Sequence, residues 1–135
     1  MNTSTVVTSS PAMGRVPVTV IRVLGDLDAS SCARLEALAD QVYQEGARYL
    51  LLDLSQATYI SSSGLRTLHH IYNLLRPEEQ SDDAAVRKGL ADGTYKSAHL
   101  KLLRPTPQAM ETLRLSGFDM YLEVFQDERQ AIASF

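Results

Sequence analysis

The chain has 135 residues, 44% of them hydrophobic and 21% charged, which suits one globular domain and is short for two. Thirteen Lys and Arg against sixteen Asp and Glu give a formal charge of −3 with the cations scattered, which excludes a nucleic-acid binder resting on clustered positive charge. Its one cysteine, Cys32, closes no intramolecular bridge, so a disulfide scaffold is excluded and a reducing, cytoplasmic setting is expected.

Residues 1–15 are rich in Ser and Thr, with Pro11 and Gly14, and read as a flexible tail or edge strand with at most a short strand near Thr5–Thr8. From Val16 the β-branched run Val-Pro-Val-Thr-Val-Ile-Arg-Val-Leu, stopped by Gly25 and Asp26, predicts a strand. Asp28 or Ser30 then caps a helix whose Leu35, Leu38, Ala39 and Val42 share one face, and Gly46 ends it. The stretch 49–55 is apolar at nearly every position, the mark of a strand covered on both faces in a parallel sheet.

A second helix opens in the Ser-rich turn 61–63, with Leu65, Leu68, His69, Tyr72 and Leu75 as its apolar face, and Pro77 stops it. Residues 77–97 hold five acids and three bases with Gly89 and Gly93, and read as a solvated loop inserted in the domain, with a turn of helix at Asp82–Lys88. A strand at 100–103, a helix entered through Pro105 and Pro107, a strand at Tyr121–Phe125 and a last helix capped by Asp127 complete the alternation. That order predicts an α/β fold over residues 16–135, with helices packed on a mixed, mostly parallel sheet of four to five strands. No apolar run approaches the roughly 20 residues that span a bilayer. The polar start also lacks the segments of a signal peptide, so no membrane insertion is expected.

Chemistry concentrates in Ser61, Ser62 and Ser63, which join a buried strand to a helix whose free amides and dipole favour negative charge. Their plainest role is helix capping. A nucleophile elbow needs glycine where Ile60 stands, and no Gly-rich phosphate loop ending in Lys is present. Adjacent His69 and His70 point about 100° apart on a helix, so they cannot chelate one metal, and neither metal nor cofactor is expected. His69 is expected in the core and His70 at the surface. Asp26 and Asp28 read as turn and cap residues. Asp53 ends an apolar strand at the carboxyl rim of the sheet, where α/β proteins place their sites.

The succession Gly25-Asp26-Leu27-Asp28-Ala29, Leu51-Leu52-Asp53-Leu54-Ser55 and Tyr59-Ile60-Ser61-Ser62-Ser63-Gly64-Leu65-Arg66-Thr67-Leu68 resembles the STAS domain family, and within it the stand-alone bacterial anti-sigma-factor antagonists. The resemblance implies a regulator without enzymatic activity. Such a protein binds an anti-sigma factor that is also a serine kinase of the histidine-kinase-like ATPase fold, and so frees the sigma factor. Phosphorylation releases it, and a metal-dependent serine phosphatase reverses the change.

By motif the acceptor is Ser62, two residues before Gly64, with Ser61 and Ser63 as alternatives because the Asp that commonly precedes the acceptor is Ser61 here. Asp26, Asp28, Asp53, Ser61, Ser62, Ser63 and Gly64 are expected to frame the partner rim, Arg66 to touch the partner, and Gly64 to let the partner's backbone approach. Two rivals are a STAS subunit of a lipid-transport or sensory complex, acting as a constitutive interaction module, and an enzyme using Ser62 with a histidine.

Overall fold

Among the described residues five strands form one sheet in the order β1-β2-β3-β4-β5, with β1 (Val6–Met13) antiparallel to β2 (Pro17–Leu24) and the parallel strands β3 (Leu50–Asp53), β4 (Leu100–Leu103) and β5 (Val124–Phe125) following. The structure, a computed structural model, describes residues 5–76 and 97–135. The helical turn expected at Asp82–Lys88, and all but the last residue of the 77–97 loop, lie outside the described residues.

Every side chain of β3 and β4 is buried, which is why their sequences show no alternation: each face has its own cover. On the first face Ile21, Val23, Leu50, Leu52, Leu100 and Leu102 meet α1 (Ala29–Gln44), α2 (Ser62–Leu75) and α3 (Pro107–Leu115). On the second face Val18, Val20, Leu51 and Leu103 meet Ala131 of α4 (Glu128–Ser134), with Ile132 and Phe135 alongside. The expected mixed, mostly parallel α/β sheet is therefore observed.

Local chemistry sets the helix ends. Asp28 caps α1 by accepting from the amides of Ser30 and Ser31, both at 3.0 Å. Thr106 accepts from the Ala109 amide at 3.1 Å while Pro107, which lacks an amide, occupies the first turn of α3. Asp127 does the same for α4 through the Gln130 amide at 2.9 Å.

Three expectations change. The N-terminal segment is an eight-residue strand paired with β2 from Val6↔Leu24 to Met13↔Pro17, longer than the Thr5–Thr8 piece. An edge strand borrows its order from the neighbour's backbone, so Ser and Thr suffice, and Pro11 is tolerated there. The strand expected at Tyr121–Phe125 shortens to two residues, because the amides of Tyr121 and Leu122 turn back to the Phe118 carbonyl.

The third is His69, which is exposed. The buried stripe of α2 is Gly64, Thr67, Leu68, Ile71, Tyr72 and Leu75, rotated from the expected one so that Thr67 and Ile71 enter the core.

Candidate functional site

The serine turn is held by a short parallel pairing beyond the sheet proper. Leu27 bridges Ile60, with the Leu27 amide donating to the Tyr59 carbonyl at 2.9 Å and the Ser61 amide to the Leu27 carbonyl at 2.8 Å. The Asp26 carboxylate accepts from the Tyr59 amide at 3.0 Å, which fixes the two segments side by side. The amino ends of α1 and α2 therefore emerge together beyond the carboxyl end of β2 and β3.

Ser61 is the N-cap of α2, its Oγ accepting from the Gly64 amide at 3.1 Å. It also reaches inward: burial pushes the Cys32 thiol above its ordinary range, against hydrogen bonds with Thr67 and Ser61 that pull the other way. Ser62 is the first residue of the helix and exposed, and Ser63 is half-buried. Among the described residues neither the Ser62 hydroxyl nor its amide has a hydrogen-bond partner, so of the three serines it is the one most open to a second protein.

Gly64 is buried, and the close approach it permits is internal, where its role with a partner's backbone had been expected. A Cβ there would stand 2.8 Å from Ile60 Cγ2 and 3.2 Å from Leu27 Cβ, both on buried residues of the bridge that carries the turn. Gly64→Ala gains about 1 kcal/mol of helix propensity. Overpacking costs about 1–3 kcal/mol, so the expected net effect is a loss of stability, read as a lower urea midpoint. A variant as stable as the parent would contradict this packing.

The carboxylates divide. Asp28 lies at the rim, and the Ser31 amide and Ser30 hydroxyl hold its carboxyl below the usual range. Asp53 sits at the carboxyl end of β3, yet its side chain points to the second face, away from the serine turn. Only 5% exposed, it accepts from Arg22 Nη1 at 2.7 Å and from the Ser55 amide at 3.0 Å. Arg22 also donates to both oxygens of Glu128 on α4, at 2.9 and 3.2 Å, and Arg104 stands 3.9 Å from each acid. Burial alone would raise the Asp53 carboxyl, but hydrogen bonds from Ser55 and Arg22 and the charge of Arg22 outweigh it and hold the group below its ordinary value.

Arg66 is exposed on α2 one turn after Ser62. His70 packs between α1 and α2, with Nε2 at 2.9 Å from Asp40 and Nδ1 at 3.7 Å from Glu36. His99 stacks on Tyr49 and its Nδ1 meets the Arg48 carbonyl at 2.7 Å, at the amino end of β4. None of the three histidines hydrogen-bonds a serine of the turn. Among the described residues no group of three or more His, Cys, Asp or Glu is placed to hold a metal ion, and no helix is long and apolar enough to cross a membrane.

Sequence reading missed the exposed Tyr59 of the rim, 58% accessible, and the exposed Val6 and Leu24 that pair across β1 and β2 at the same end of the sheet. A lone Tyr in a polar stretch carries no sequence signal. The pairing of Val6 with Leu24 follows only once β1 is known to be a strand.

A mixed sheet with helices on both faces and a capped serine turn beyond its carboxyl end defines a small α/β domain. Residues 10–79, just over half of the chain, match the model of the STAS domain, and the chain belongs to the STAS domain family. Comparison with curated proteins finds no significant match.

Among solved structures, the fold resembles an anti-sigma factor antagonist from Mycobacterium paratuberculosis, with TM-score 0.73 and 20% identity over 97% of this chain and 93% of that one. It also resembles the anti-sigma factor antagonist SpoIIAA in its unphosphorylated form, with TM-score 0.63 and 18% identity over 93% of each chain. A third likeness is to the Bacillus cell fate determinant SpoIIAA in its phosphorylated form, with TM-score 0.59 and 18% identity over 93% of this chain and 96% of that one. Identity at this level speaks for the fold.

Proposed function

We propose that this chain is an anti-sigma-factor antagonist that works as a phosphorylation-controlled partner switch in the cytoplasm, a regulator and not an enzyme. The unmodified protein binds an anti-sigma factor that is also a serine kinase of the histidine-kinase-like ATPase fold, freeing the sigma factor. Phosphorylation of Ser62 breaks that complex, and a metal-dependent serine phosphatase restores it. Family membership and the solved neighbours support the general role.

The observation that carries the assignment of Ser62 is its exposed, unpartnered hydroxyl beside a serine occupied by capping. In the transfer, Ser62 Oγ bonds to the γ-phosphorus of ATP and the bridging bond to the β-phosphate breaks. ADP leaves with that electron pair, and the hydroxyl proton passes to a base of the kinase.

Partner contacts are assigned to Asp26, Asp28, Ser61, Ser62, Ser63 and Arg66, with Tyr59 as their exposed apolar neighbour. Asp53 and Gly64 act behind this surface, by holding the fold. Incubation with the cognate kinase and ATP should place one phosphate on Ser62, located by mass spectrometry of the peptide. Phosphate on Ser61 or Ser63 would move the acceptor. No phosphate on any of the three would overturn the switch in favour of a constitutive STAS interaction module.

A further inference from the structure

The exposed side of α2 reads Ser62, Arg66, His69 and Asn73, which are all solvent-facing at helical spacing. Residues four apart on a helix are neighbours, with Cβ atoms about 5–6 Å apart, so a group added to Ser62 is within reach of the long Arg66 side chain. The first turn of α2 holds no acid. Among the described residues the carboxylates around this end of the helices are already engaged: Glu36 and Asp40 of α1 face His70, Asp28 caps its own helix, and Asp26 accepts from the Tyr59 amide. Among the described residues Arg66 makes no ion pair or hydrogen bond, so none of their carboxylates neutralises this exposed cation, one turn from the acceptor.

We propose that Arg66 is the counter-charge that a phosphate on Ser62 captures within the same helix, so that modification adds an anion to the rim and withdraws a cation from it. This rests on Ser62 as the acceptor. A guanidinium presents paired N–H donors that match phosphate oxygens, and an ion pair running from acid to base along a helix is the favourable direction. The partner then loses on both counts: it meets a new dianion, and the Arg66 it could have bonded is turned aside.

The test uses the full chain with phosphoserine installed at position 62 during translation, without any kinase. Phosphorus NMR then follows the second ionisation of the phosphate, ordinarily near pH 6. In the parent it should lie lower than in Arg66→Gln by roughly 0.3 of a unit or more, since helical ion pairs and charge-assisted bonds act at this scale. Arg66→Lys should keep most of that difference, and added salt should shrink it. Identical titrations of the parent and Arg66→Gln would overturn the capture. A kinase that never modifies Ser62 would overturn the switch instead while leaving this titration intact, so the two failures are separable.

Discussion

Ser62→Asp is expected to weaken binding to the cognate anti-sigma factor by about 10- to 100-fold, while Ser62→Ala binds as the parent does. An interface fitted around a neutral hydroxyl meets a fixed negative charge, and like-charge juxtaposition costs several kcal/mol when desolvated. Only about 1.4 kcal/mol is needed for each tenfold. Asp carries one charge where phosphate approaches two, and Arg66 neutralises part of it, so the mimic is the weaker form of the switch. Titration calorimetry on the purified pair measures both variants. Matching affinities for the two would remove Ser62 from the interface. The surroundings favour a large response: five acids and three bases fall in 77–97, so the remainder of the chain is within one charge of neutral.

The second large effect is expected far from the serines. Arg22→Ala should cost about 2–3 kcal/mol, below the 3–5 kcal/mol of a fully buried broken pair because the Arg22 side chain is 33% exposed. The substitution leaves the Asp53 carboxylate with the Ser55 amide and, at 3.9 Å, Arg104, and takes from Glu128 at the start of α4 its two hydrogen bonds to Arg22.

The sign of the pH dependence follows. In the parent the Asp53 carboxyl is held below its ordinary value, so its contribution is present above the unfolded value near 3.9 and is lost as pH falls through the folded one. Without Arg22 the carboxylate loses a hydrogen bond and a neighbouring charge that both favour its ionised form, so its folded value rises and its contribution at neutral pH falls. The deficit of Arg22→Ala against the parent should therefore be largest at neutral pH and shrink towards pH 3.5. Urea unfolding at the two pH values measures it; an equal deficit at both would exclude Asp53 as the cause.

Much of this molecule is legible in the sequence because burial on both faces and helix caps leave strong local signals. The runs at 50–53 and 100–103, Asp28, Thr106-Pro107 and Asp127 are of this kind. The losses occur where the deciding neighbour is distant. Asp53 sits where rim carboxylates sit, but in a strand buried on both sides nothing local states which face a given residue takes; the Arg22↔Asp53 register and α4 decide it.

Lys101 is another such case. A charged residue inside the run 100–103, it is 4% exposed under α4, donating to the Ser134 carbonyl and hydroxyl at 3.0 and 2.9 Å and lying 4.9 Å from the Phe135 ring. His69 failed for a subtler reason: a periodic stripe fixes which residues share a face only to within about one residue's rotation, and Thr67 with Ile71 tipped it.

The outer edge of β1 bears on how the protein behaves in concentrated solution. Val-Val-Thr-Ser-Ser-Pro-Ala-Met carries no charged residue, and Val6 and Met13 at its two ends are 51% and 75% accessible. Natural sheets discourage runaway edge-to-edge association with lysines, bulges or prolines, and here that duty falls to Pro11 alone, since it offers no amide to an incoming strand. Resistance of this edge to pairing with another chain thus rests largely on one imino acid, in a segment whose sequence suggests only a short strand.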